Sequence, residues 1–104
     1  MNKFYEGISG LNERELQEKA WVGDSVLGLF AREWLLKTHG RIESDEFIQM
    51  TCNQFLSTMG QPTKIEARIG HVYETEGLAA AFAFMETELI PQYLIMKKNR
   101  LKKH

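Results

Sequence analysis

The sequence predicts an all-α fold, a helical bundle in a single domain. Apolar residues recur at helical spacing along nearly the whole chain, and no Asn-Gly or Asp-Gly pair marks a hairpin between alternating apolar runs. The 104 residues are enough for one hydrophobic core and too few for two. We therefore expect one domain over residues 1–96, followed by a basic tail over residues 97–104.

The first predicted helix begins after Asn12. Asn12 and Glu15 have the spacing of a capping box, in which each side chain accepts a hydrogen bond from the other residue's backbone N–H. The apolar pattern continues to about Lys37, and Gly40 supplies a stop signal. Gly23 lowers the helix propensity, so the pattern leaves open whether this long helix breaks there.

The other predicted helices lie between residues 44 and 93. Ser44 can cap a helix that runs to about residue 59, and a glycine and a proline then mark a turn at residues 60–62. A short helix near 63–69 and a longer one over 73–93 complete the expected set.

The charge of the chain is unevenly distributed. Five of the 13 lysines and arginines lie in the segment 97–104, which leaves eight of them against 14 acids and gives the preceding body a charge near −6. Such a body argues against a protein that coats RNA with a basic surface. The tail can contact phosphates, or it can be an ordinary solvated helix end.

The sequence argues against a membrane protein and against a secreted protein. No run approaches the roughly 18 apolar residues of a membrane-spanning helix, the N-terminus has no apolar leader core, and the lone Cys52 cannot form a disulfide framework. We expect an intracellular, cytoplasmic protein with no membrane partner.

The first predicted helix is apolar on nearly every side, which in so small a domain indicates contact with a second subunit. The pattern therefore predicts a homodimer. The candidate interface residues are Trp21, Val22, Leu29 and Phe30.

Two carboxylates interrupt apolar or small-residue stripes. Asp24 lies in the stripe of the first helix, and Glu76 shares a predicted face with Val72 and Ala80. Two such acids on two helices can converge on a hard cation such as Mg²⁺ or Mn²⁺. The alternatives are that Asp24 caps a helix beginning at Ser25, and that Glu76 is a favourable charge in a first helical turn.

Three segments resemble the ribonuclease III family. The stretch AWVGDSVL at 20–27 resembles the family signature, and EGLAAAF at 76–82 resembles the downstream glutamate helix. Between them, FLSTMGQ at 55–61 is similar to a stretch of the compact Mini-III ribonucleases. The resemblance covers roughly residues 11–94.

The resemblance implies a metal-dependent hydrolase, an endoribonuclease for RNA processing that cuts double-stranded or structured RNA as a homodimer. Asp24 and Glu76 match the family's metal-holding catalytic acids, and Mg²⁺ or Mn²⁺ is the implied cofactor. The chain departs from the family at Gln17, Ala20 and Tyr73, where active members carry further acids, although Mini-III enzymes also have alanine at the position of Ala20. The connection between residues 61 and 76 is also shorter than the basic Mini-III loop.

Five basic residues are candidate phosphate contacts, with ordinary surface charge as the alternative. They are Lys64, Arg68, Lys97, Lys98 and Arg100.

Three functions remain open at this point. The first is the endoribonuclease, and the second is a catalytically inactive ribonuclease III-like module that binds RNA or a ribonucleoprotein. The third is an all-α nucleotide pyrophosphohydrolase that would use the acid pairs Glu15/Glu18 or Glu43/Glu46.

Overall fold

Residues 5–102 are described by a computed structural model of the protein. Within that range every regular element is a helix and no strand occurs, which confirms the all-α prediction. The helices are α1 (Glu13–His39), α2 (Ser44–Thr51), α3 (Asn53–Leu56), α4 (Pro62–Glu76), α5 (Leu78–Glu88) and α6 (Ile90–Lys102).

Both ends of α1 follow the local sequence signals. The Glu15 N–H donates to Asn12 Oδ1 at 2.8 Å, and the Asn12 N–H donates to Glu15 Oε1 at 3.1 Å, so the predicted capping box is present. At the other end Gly40 adopts φ 72° and its N–H donates to the Leu36 carbonyl at 2.8 Å. A left-handed conformation of this kind favours glycine as the residue that ends a helix.

The possible break at Gly23 does not occur, because α1 is continuous from residue 13 to residue 39. Asp24 is therefore an interior helical residue, and the alternative that it caps a helix at Ser25 is wrong. Gly23 has a packing role instead: a Cβ at this position would overlap the backbone carbonyl of Glu66 on α4. Its lack of a side chain lets the two helix backbones approach each other.

Helix α4 packs antiparallel along α1, and this is the most extensive helix pair in the fold. Gly23 faces Glu66 and Gly70, whereas the earlier residue Lys19 faces Gly70, so the order along one helix is reversed along the other. Gly70 is the counterpart of Gly23, because a Cβ there would overlap the Lys19 carbonyl. Small residues on both helices therefore set how closely the helices pack.

Side chains from α1 to α6 form the main core. Phe30 meets Phe82 edge to face with ring centroids 5.3 Å apart, and Tyr93 meets Phe55 at 5.8 Å and Trp34 at 6.2 Å. Edge-to-face contact is a favoured geometry for aromatic pairs. Large side chains that are fully buried are Leu27, Met50, Phe55, Leu56, Ile65, Ile69, Met85, Leu89 and Tyr93.

Two predicted helices are divided differently from the expectation. Helix α4 includes the segment expected to be a loop before residue 73 and ends at Gly77, which has φ 95° and favours glycine. A further division at Leu89 separates α5 from α6.

The predicted helix over 44–59 is likewise two helices, because Cys52 is extended with ψ 157°. Ser44 is the first residue of α2, not its N-cap.

The basic segment 97–102 continues α6 without interruption, and residues 103–104 lie outside the described range, as do residues 1–4. Lys97 is bound into the fold: its Nζ donates to Glu46 Oε1 at 2.8 Å, beside the Tyr93 hydroxyl, which donates to the same oxygen at 2.7 Å. Among the described helices, none combines the length and apolar character that crossing a membrane requires.

Candidate functional site

Asp24 on α1 and Glu66 on α4 form a carboxyl pair at the α1–α4 contact. The Glu66 side chain lies within hydrogen-bonding reach of Asp24, so the two carboxyl groups can share a hydrogen bond when one of them holds a proton. They lie there because Gly23 and Gly70 bring the two helix backbones together, so side chains beside the glycines face each other across a short gap. The close packing of the two helices thus creates the pair.

The pair borders an open cavity of about 460 Å³. Asp24 is solvent-exposed and Glu66 is half-buried, so the cavity gives ligands access to the pair. The lining residues are Gln17, Glu18, Ala20, Trp21, Asp24, Thr63 and Glu66.

The pKa of Glu66 is raised from 4.5 to about 8, chiefly by burial and in smaller part by hydrogen bonding to Asp24 and the negative charge of Asp24. A carboxylic acid with such a pKa is mostly protonated at neutral pH. Glu66 therefore holds a proton near pH 7, and a cation that binds its carboxylate must displace that proton.

Glu76 does not border this cavity, which corrects the expected pairing of Asp24 with Glu76. Glu76 is the exposed last residue of α4 and lies ten residues beyond Glu66 on the same helix, a rise of about 15 Å. The expected face shared with Ala80 is absent because Gly77 separates Glu76 from the helix that contains Ala80. Glu66 is the acid that sequence reasoning missed.

Trp21 lies at the edge of the acidic cavity and is 82% exposed. Its other side borders a second cavity of about 510 Å³ between α1 and the α4–α5 connection. The second cavity has a mostly apolar lining of Trp21, Val22, Ser25, Val26, Leu29, Tyr73 and Leu78.

The four candidate interface residues separate into two groups. Trp21 and Leu29 are exposed and Val22 is half-buried, so these three are accessible to a partner. Phe30 is only 2% exposed and packs against Phe82 within the core of the same chain. The assignment of Phe30 to an interface is therefore wrong, because helical rotation directs this side chain into the core.

Two of the candidate phosphate contacts are already held within the chain. The Arg68 side chain is only 14% exposed, lies 3.7 Å from Glu6 and has its guanidinium over the Phe84 ring. Lys97 donates to Glu46. These contacts favour a structural role for Arg68 and Lys97.

The other three candidates are more accessible. Lys64 is exposed, with its ammonium 5.0 Å from the centre of the Tyr5 ring, and Lys98 is exposed on α6. Arg100 borders a small cavity with both polar and apolar walls, together with Gln54 and Thr58. Lys64 is the nearest of the three to the acidic cavity in sequence, since it follows Thr63.

The donor set around Asp24 and Glu66 matches a hard divalent cation. Carboxylate and amide oxygens bind Mg²⁺, which commonly uses one or two protein carboxylates and completes its shell with water or phosphate oxygens. Asp24 and Glu66 can supply the carboxylates, and Gln17 supplies an amide oxygen at the same cavity. Larger clusters, with three or more His, Cys, Asp or Glu side chains placed to hold a metal, are absent from residues 5–102.

Comparisons of the chain with protein-family models, with curated proteins and with solved structures gave no match.

Proposed function

We propose that this chain is a metal-dependent endoribonuclease that acts on double-stranded or structured RNA, with Asp24 and Glu66 as the acids that hold Mg²⁺ or Mn²⁺. The observation that carries the proposal is the pair of neighbouring acids Asp24 and Glu66 in the lining of one open cavity. The signature-like stretch around Asp24 agrees with it.

The pair has a defined part in such a reaction. A bound divalent cation would activate a water molecule and neutralise charge that develops on the phosphate oxygens. Glu66 would give up its proton to hold the cation, because a metal-bound carboxylate is deprotonated. Asp24 is the more exposed of the two acids and would hold the cation on the solvent-facing side of the cavity.

Substrate binding would use features around the same mouth. Duplex RNA is recognised mainly through its shape, its phosphates and its 2′-hydroxyls. Lys64 offers an exposed ammonium for a phosphate, next to Thr63 in the cavity lining. The exposed apolar surface of Trp21, Leu29 and Leu78 would join two copies into a homodimer, so that two acid pairs act on one duplex.

The second candidate is a catalytically inactive module that binds RNA or a ribonucleoprotein. Tyr73 favours it, because a phenol stands where the resemblance implies an acid. The raised pKa of Glu66 favours it too, since a protonated carboxyl group attracts a cation less than a free carboxylate does.

The test is cleavage of a long double-stranded RNA in low salt with Mg²⁺ or Mn²⁺. Wild type is compared with Asp24→Asn, Glu66→Gln and Glu76→Gln, and the matched control is Glu33→Gln, which changes an exposed α1 acid away from the cavity. We expect the first two variants to lose at least about 100-fold in rate and Glu33→Gln to keep it, since metal ligands are needed for chemistry.

The two candidates give different results in this assay. Cleavage that survives both Asp24→Asn and Glu66→Gln would refute the assigned site. A wild type that binds the RNA without cutting it with either metal would refute the nuclease and support the inactive module. Loss of cleavage in Glu76→Gln alone would return the assignment to the acid that the resemblance selects.

A further inference from the structure

A third cavity, of about 400 Å³, lies at the opposite end of α1 from its N-terminal cap. It is formed by the last turns of α1, the connection 40–43 and α2, and it is separate from the acidic cavity because the two share no lining residue. Its lining consists of Arg32, Leu35, Leu36, Arg41, Ile42, Glu43, Ser44, Phe47 and Ile48.

The walls of this cavity are mainly aliphatic and aromatic. Ile42 is 80% exposed and Ile48 is 61% exposed, and Leu36 is also exposed, so three large aliphatic side chains face solvent around one concave surface. Scattered apolar residues need no explanation on a protein surface, but a concave group of them marks a binding site. The volume lies within the usual range for small-molecule sites, about 300–1,000 Å³.

The charge of the cavity is opposite to that of the chain. Two arginines and one glutamate line it, which gives a local net charge of +1 in a chain of net charge −1. Arg41 is paired with Glu43, whose Oε1 lies 2.6 Å from Arg41 Nε. The remaining positive charge is therefore that of Arg32.

Among the described residues, Arg32 contacts an aromatic ring and forms no salt bridge with a carboxylate. Its guanidinium lies 4.2 Å from the centre of the Phe47 ring, and its end group also passes close to Gly28. A guanidinium held over an aromatic ring has no hydrogen-bond acceptor in that ring plane, so its N–H groups remain able to bind an anion. Arg32 is thus a preorganised anion contact at an apolar cavity.

The start of α2 adds to the positive potential. Ser44, the first residue of this eight-residue helix, lines the cavity, and the N-cap Glu43 makes no side-chain capping bond. The N–H groups of the first helical turn lack acceptors within their own helix. Two acids of that turn, Asp45 and Glu46, oppose an anion, but Glu46 binds Lys97 and Asp45 does not line the cavity.

We infer that this cavity binds a small apolar monoanion, a carboxylate with an aliphatic body, through the Arg32 guanidinium and the walls formed by Leu36, Ile42 and Ile48. The carboxylate oxygens accept hydrogen bonds from Arg32, and the aliphatic body covers apolar surface that water now contacts. The site is independent of the acidic cavity and of the proposed nuclease function.

The test uses decanoate, below its micelle-forming concentration, in calorimetric titration of the full chain. Decanol and decylamine are the matched probes, because they keep the aliphatic body and remove or reverse the charge. We expect one decanoate per chain, and binding weaker by about 10-fold for decanol, since a charge-assisted hydrogen bond is lost. Arg32→Gln should reduce decanoate affinity by a similar factor and leave decanol affinity unchanged.

Two further variants locate the site. Ile48→Ser should weaken decanoate and decanol equally, and Arg14→Gln, at the exposed start of α1, should weaken neither. Equal affinity for decanoate and decanol, an Arg32→Gln variant that binds decanoate normally, or no decanoate binding would each overturn the inference. RNA cleavage measured on the same Arg32→Gln protein should equal that of wild type, so failure of one proposal is separable from failure of the other.

Discussion

A side chain at Gly23 would occupy the space of the Glu66 backbone carbonyl. This one relationship sets the distance between α1 and α4, and it also places the side chain of Asp24, the next residue, beside the side chain of Glu66. The carboxyl pair of the candidate site therefore depends on the glycine that allows the two helices to pack closely.

Gly23→Ala should destabilise the fold strongly. A methyl group there overlaps backbone atoms that cannot rotate away, so the helices must separate at a cost of about 3 kcal/mol or more in the free energy of unfolding. Gly10→Ala is the control, because a Cβ at Gly10 has no neighbour within 4 Å. Urea denaturation of both variants measures the difference, and equal midpoints for Gly23→Ala and wild type would contradict the close α1–α4 contact.

Glu66 should make the metal-free protein less stable as the pH rises. Its folded-state pKa, about 8, exceeds its ordinary value of 4.5, so the folded chain binds more protons than the unfolded chain between these values. The stabilisation is complete below pH 4.5 and is lost as the pH increases through 8. Since Glu66 is only half-buried, we expect a loss of about 1–2 kcal/mol.

Thermal unfolding of wild type and Glu66→Gln at pH 5 and pH 9 checks this expectation. The variant should show a smaller decrease in stability between these pH values, because glutamine does not titrate. A wild-type decrease no larger than that of the variant would show that Glu66 titrates normally. Added Mg²⁺ should reduce the decrease at pH 9 if the proposed metal binds there.

His71 should weaken the fold in mild acid. Burial lowers its pKa from 6.5, the positive charges of Lys19 and Arg68 lower it further, and the charges of Glu74 and Glu76 oppose the shift. The neutral imidazole is thus favoured in the fold, so its contribution is complete above pH 6.5 and is lost as the pH falls through the lower folded pKa. His71→Leu should show a smaller fall in melting temperature between pH 7 and pH 5, and an unchanged fall would rule out His71 as the cause.

Tyr93→Phe should destabilise the chain by about 1–2 kcal/mol, because Glu46 loses a hydrogen-bond donor in a partly buried environment. Burial raises the pKa of Glu46, but the bonds from Lys97 and Tyr93 and the charges of Lys97 and His39 outweigh burial and leave the pKa below 4.5. The control is Tyr73→Phe, which changes an exposed phenol. If both variants lose equal stability in urea, the Tyr93–Glu46 bond contributes nothing specific.

Trp21→Glu combined with Leu29→Glu should convert the proposed homodimer to a monomer. Both side chains are exposed and border the same apolar cavity, so two charges there oppose self-association. Sedimentation measures the mass, and Leu101→Glu on α6 is the control for an exposed apolar residue elsewhere. A wild type that sediments as a monomer at all concentrations would contradict the dimer.

The sequence predicts features that depend on neighbouring residues better than features that depend on packing. The capping box of Asn12 with Glu15 and the left-handed Gly40 follow from local hydrogen bonding and backbone preference, and both are confirmed. Gly23 reads locally as a helix breaker, but it serves the contact with α4. A propensity scale cannot anticipate a contact between residues this far apart.

The candidate site shows the same division. Asp24 can be predicted from the residues around it. Its partner can be identified only when the end of α4 and the face that α4 turns to α1 are known. Glu66 precedes Gly70 by one helical turn, so the two residues share a helix face. That spacing is the sequence feature that could have identified Glu66 as an acid beside a close helix contact. Glu76 matched the family pattern, but the helix ends directly after it at Gly77.

The contacts of Tyr93 and Lys97 with Glu46 have a consequence for the order of folding. These hydrogen bonds join residues 47 and 51 positions apart, and the Tyr93 ring packs against Phe55 and Trp34 in the core. During synthesis the chain is made from its N-terminus, so this part of the core lacks its central ring until α6 emerges. The first five helices therefore stay incompletely packed until α6 has left the ribosome.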